Sequence, residues 1–130
     1  MPRVALVAFA VLALLAAGCG KPSPKVYSEV RTRACFHAKR LRITPPPAAD
    51  FVATTALGGA FKLTLPHNFV TISFGDTVQN AQSLDQVYRN VRGRNVGIND
   101  VLRTQGNAVM LWHAHPADED LSLVQGCLKT

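Results

Sequence analysis

Hydrophobic residues in this chain run unbroken over residues 4–17 and turn periodic from residue 25 onward. Val26, Val30, Ala34 and Ala38 recur every four positions, and Tyr27 and Phe36 widen the stripe, which predicts a helix over 25–38 with Cys35 on its flank. Residues 41–44 alternate as a short strand does, and Pro45, Pro46 and Pro47 end that element. Asp50 is placed to cap a short helix over 51–57, which Gly58 and Gly59 terminate. Two runs rich in β-branched and aromatic residues follow, 60–65 and Phe69–Phe74, and Pro66, His67 and Asn68 between them suit a hairpin loop. In the second run Val70, Ile72 and Phe74 share one face and Phe69, Thr71 and Ser73 the other. That alternation predicts one packed face and one partly wet face.

After Gly75, Asp76 and Thr77, the residues Val78, Ala81, Leu84, Val87, Tyr88 and Val91 mark one face of a long helix that Gly93 stops. Residues 94–97 read as loop, and 98–104 as one or two helical turns capped near Asn99. Gly106 and Asn107 then turn the chain into Ala108–Trp112, apolar on both faces as a central strand is. Pro116, Asp118, Glu119 and Asp120 suit a helix first turn, with Leu121, Val124, Cys127 and Leu128 as its stripe. The resulting order predicts an α+β class domain, a small two-layer sandwich. Its inner six elements match the βαββαβ order of the ferredoxin-like arrangement, with an extra helix at each end. On that topology Phe69–Phe74, the long helix and Ala108–Trp112 form a parallel crossover.

The unbroken run over 4–17 follows Arg3 and is too short for the ~20 residues of a spanning helix. It closes in Ala16, Ala17, Gly18 and Cys19, and this ending resembles the lipobox of bacterial lipoprotein signals, although the commonest form has Leu where Ala16 stands. The resemblance covers residues 1–20 alone. It implies that residues 1–18 are a removable signal peptide and that Cys19 receives a lipid and becomes the new N-terminus. Residues 19–24, with Pro22 and Pro24, then form a tether, and 25–130 form a single extracytoplasmic domain on the cell membrane or outer membrane. About 110 residues suffice for one hydrophobic core and not two. With Cys19 lipidated, Cys35 and Cys127 are left as an even pair in an oxidising compartment, where a disulfide or two separately buried thiols are the alternatives.

The formal charge of +6 is unevenly spread. Lys21, Lys25, Arg31, Arg33, Lys39, Arg40 and Arg42 face only Glu29 between residues 20 and 42, next to the expected anchor. Such a segment would be drawn to anionic lipid headgroups, or else be an ordinary solvated face. Nucleic acid is not expected as a partner, because export removes the chain from it and no aromatic residues interleave these charges.

Candidate chemistry is sparse. His113 and His115, spaced to point the same way, precede Asp118 and could form a first-row metal site with it, although acids after a proline also suit a helix N-terminus. The serines lack a nucleophile-elbow context, and Gly58-Gly59 is too short for a phosphate loop. Trp112 and Met110 are expected in the core, and Arg89, Arg92, Arg94 and Arg103 form a second, sparser basic group. These features predict a non-enzymatic, cofactor-free interaction module that binds an envelope protein or ligand. The alternative is a metal or small-ligand binder using His113 and His115.

Overall fold

The computed structural model describes residues 24–92 and 97–130. The expected export segment, Cys19, most of the expected tether and the Gly93 helix stop lie outside the described residues. One sheet organises the rest, from strands β1 (Arg42–Thr44), β2 (Ala60–Thr64), β3 (Phe69–Phe74), β4 (Leu102–Gln105) and β5 (Ala108–Trp112). They lie in the order β1-β2-β3-β5-β4, every neighbouring pair antiparallel. The helices are α1 (Glu29–Ala38), α2 (Phe51–Thr54), α3 (Val78–Arg92), α4 (Ile98–Val101) and α5 (Asp118–Cys127). The class is α+β, as the element order predicts.

Its topology departs from the ferredoxin-like expectation at two places. First, α2 is a single turn, too short to carry the chain across a sheet, so β2 folds back directly beside β1 with Arg42 opposite Thr64. Second, Leu102–Gln105 is a strand rather than helical turns. Gly106, at φ 55°, and Asn107 close a two-residue hairpin that sets Gln105 opposite Ala108. The chain leaving α3 therefore enters the far edge strand β4 and returns as β5 between β4 and β3. Consequently β3 and β5 are antiparallel, and the parallel relation across α3 is between β3 and β4.

Side-chain alternation along β3 and β5 divides the core. Val70, Ile72, Phe74, Ala108, Met110 and Trp112 face α1 and α5, where they meet Phe36, Phe61 and Val124. Val109 and Leu111 face the opposite side and pack with Val52, Ala81, Tyr88 and Leu102. Thr71 and Ser73, expected on a partly wet face, are buried on this second side.

α1 buries Phe36 of its predicted stripe but turns the positions that recur every four residues outward. Val30 is 71% exposed, and Ala34 and Ala38 are exposed with it, while Thr32 and Phe36 are buried. Three fixed contacts decide the rotation. Phe36 meets Phe61 edge-on at 5.9 Å, Thr32 Oγ1 accepts from the Lys129 N–H at 3.2 Å, and Cys35 is disulfide-bonded to Cys127 of α5. The expected bridge is thus present, with a Cα–Cα distance of 5.5 Å. Asn107 anchors the segment before α1. Its Oδ1 accepts from the Tyr27 N–H at 2.5 Å, and its Nδ2 donates to the carbonyls of Tyr27 and Gly75.

Candidate functional site

Pro45, Pro46 and Pro47 bring the chain off β1 and over the open end of the second core, where Asp50 enters the interior. Asp50 Oδ1 accepts from the Ala53 N–H at 3.1 Å and so caps α2. From the other side, the Tyr88 hydroxyl of α3 lies 3.0 Å from both carboxylate oxygens and 3.5 Å from Ser73 Oγ. Burial pushes the pKa of this hydroxyl well above the ordinary tyrosine value. Ser73 and the Arg92 charge oppose the shift, and the Asp50 charge and hydrogen bond add to it. Tyr88 therefore stays a phenol and donates its proton to the carboxylate. The ion pairs among the described residues are Arg33–Glu29, Arg89–Asp85 and His115–Asp100, so none of them includes Asp50, which is 5% exposed.

Beside this carboxylate lies a cleft of about 380 Å³. Thr71, Leu111, Phe69 and His113, all from the second face of β3 and β5 or its continuation, line it from the sheet side. Pro47 and Asp50 line it from one flank, and Ile98, Val101 and Arg92 from the helices. The His113 N–H donates to the Phe69 carbonyl at 2.9 Å, which extends the ladder one step past β5. The two rings stack with centroids 4.4 Å apart. Lys62 Nζ lies 3.9 Å from the centre of the Phe69 ring. The cleft thus combines apolar area, a stacked ring pair, a buried acid and an exposed guanidinium.

The histidines part company just past β5. His113 lines the cleft, whereas His115 turns to Asp100, 2.8 Å away at the surface. Asp118 opens α5, and among the described residues no three His, Cys, Asp or Glu side chains gather as a metal-binding group. The basic residues also divide. Arg33 pairs with Glu29, while Lys25, Arg31, Lys39, Arg40 and Arg42 are exposed. Arg89 binds Asp85 and Asn99, Arg103 binds backbone carbonyls near α4, and Arg92 lines the cleft.

Asp50, Tyr88 and Thr71 escaped the sequence reading as a group. Asp50 reads locally as a helix cap and Tyr88 as core, and each is correct as far as it goes. The signal that could have joined them is the unusual run of Thr71 and Ser73 beside a helix carrying a tyrosine on its apolar face. No protein-family model, curated protein or solved structure matches the chain.

Proposed function

We propose that this chain is a lipid-anchored extracytoplasmic binding module that holds a ligand in the cleft over β3 and β5 without turning it over. The observation that carries the binding role is the buried Asp50 carboxylate, without an ion-pair partner among the described residues, in the wall of a cleft of about 380 Å³, within the range of small-molecule sites. The Cys35–Cys127 bridge supports export, because such bonds persist in oxidising compartments. In this reading Cys19 carries the lipid and the tether holds the domain near the bilayer. Of the two histidines considered for ligand binding, His113 is the one that contributes.

The exposed side of α1 favours a membrane-facing orientation for the same module. Val26 and Val30 are 50% and 71% exposed, Lys25 and Arg31 adjoin them in sequence, and Lys39 and Arg40 are exposed at the far end of α1. Apolar side chains among cations are the composition that enters the headgroup region of an anionic bilayer. Binding is tested by thermal-shift measurement of the mature protein against fractionated small molecules of the cell envelope. At least one fraction should raise Tm for the natural chain and leave Ile98→Trp, which fills the cleft, unmoved. Equal shifts in both proteins, or none in either, would count against the cleft.

A further inference from the structure

We propose that the ligand is a compact zwitterion of the amino-acid type, its ammonium group on the Asp50 carboxylate and its own carboxylate toward Arg92. This rests on the reading of the cleft as a binding site and names the chemistry that site selects.

Burying an ionised carboxylate is costly unless it is paired and hydrogen-bonded. Among the described residues the donors to the Asp50 carboxylate are neutral, the Ala53 N–H and the Tyr88 hydroxyl. A carboxylate offers about four acceptor positions, so these two leave capacity for a further partner. An ammonium group supplies both the missing charge and up to three donors.

Arg92 supplies the second half of the match. It follows Tyr88 by one helical turn on α3, is solvent-exposed and lines the same cleft. Its planar fork suits a carboxylate with two parallel hydrogen bonds. A bare cation at Asp50 would approach Arg92 as a like charge, and a bare anion would approach Asp50 as one. A molecule that carries both charges meets neither conflict. Leu111, Ile98 and the Phe69 ring line the same cleft and offer an apolar surface for the side chain that such a molecule carries beside its two charges.

A purely structural Asp50 would cap α2 and receive Tyr88 and nothing more, and the substitution Asp50→Asn separates the two roles. Asparagine keeps the capping oxygen and an acceptor for Tyr88 but removes the charge. Isothermal titration of the mature protein with L-phenylalanine, L-leucine, phenethylamine and 3-phenylpropionate reads the charge requirement. At least one of the two amino acids should bind more tightly than phenethylamine, and 3-phenylpropionate should give no binding heat. Asp50→Asn should weaken amino-acid binding by about tenfold or more with little change in Tm. Arg92→Gln, at an exposed position, should weaken amino-acid binding and, by removing the like charge, tighten phenethylamine, so that the preference for the amino acid over the amine is lost. Equal binding of 3-phenylpropionate, or undiminished amino-acid binding by Asp50→Asn or Arg92→Gln, would overturn the assignment. Absence of binding by all four probes would overturn it too, while the envelope-fraction screen with Ile98→Trp still decides by itself whether the cleft binds anything.

Discussion

The hydroxyl of Tyr88 sits 3.0 Å from both oxygens of the Asp50 carboxylate, joining a helix cap to the middle of α3 across 38 residues of chain. One hydrogen bond thereby fixes the loop after β1, the first turn of α2 and the wall of the cleft. Tyr88→Phe keeps the ring and removes the donor, leaving a buried carboxylate with the Ala53 N–H alone. The expected loss is roughly 1–3 kcal/mol of unfolding free energy, measured by urea titration at neutral pH.

The same hydroxyl sets an alkaline limit. Burial raises its folded-state pKa above the unfolded value, so the folded chain holds this proton more tightly. The associated stability is complete below about pH 10 and is lost as pH rises from there toward the folded-state value. Urea midpoints measured across the alkaline range should fall for the natural chain and fall less steeply for Tyr88→Phe. Identical slopes would show that Tyr88 titrates as an exposed phenol.

Replacing Cys35 and Cys127 together by serine opens a loop spanning 92 residues. The chain-entropy relation puts the cost on the order of 4 kcal/mol, a large share of the net stability of a domain this size. Reductant should lower the urea midpoint of the natural chain by a comparable amount and leave that of the double variant unchanged.

Asn107→Asp tests the seat of the N-terminal segment. The change keeps the oxygen that accepts from Tyr27 but sets a carboxylate oxygen against the carbonyls of Tyr27 and Gly75. A loss of roughly 3 kcal/mol is expected at neutral pH. Repulsion of this kind raises the folded-state pKa of the new carboxyl, so acidification should return part of the loss. A penalty independent of pH would mean that the segment detaches altogether.

Much of this fold is legible in short windows of sequence, and the exceptions have physical causes. The β2–β3 hairpin and α3 read correctly because each couples a strong period to a turn or capping signal, and β5 because a wholly apolar run follows the turn at Gly106 and Asn107. The bridge reads from cysteine parity once Cys19 is set aside as the expected lipid site. The rotation of α1 does not, because small residues such as Ala34 and Ala38 lose little by facing solvent, while Phe36 and Cys35 gain distant partners that a local pattern cannot reveal. β4 has four residues and one buried apolar side chain, Leu102, so its strand character comes from the hairpin with β5. The cleft is assembled from a proline turn, two strand ends and two helices, and no single stretch announces it.

Val30→Glu probes the outward face of α1. At a position this exposed the change should leave stability within about 0.5 kcal/mol. For the lipidated protein reconstituted in vesicles, hydrogen exchange of the α1 amides should slow when phosphatidylglycerol is added to phosphatidylcholine. Val30→Glu should abolish that slowing. Equal exchange in both bilayers would mean that the domain stands off the surface.

The division of the three cysteines, one to lipid and two to each other, is tested most directly by intact mass spectrometry. The protein should be purified from membranes and alkylated without reduction. The expected mass is that of a chain beginning at Cys19, carrying an acylated glyceryl group and no alkyl label. A chain that begins elsewhere, lacks the lipid or takes up label at Cys35 and Cys127 would contradict it.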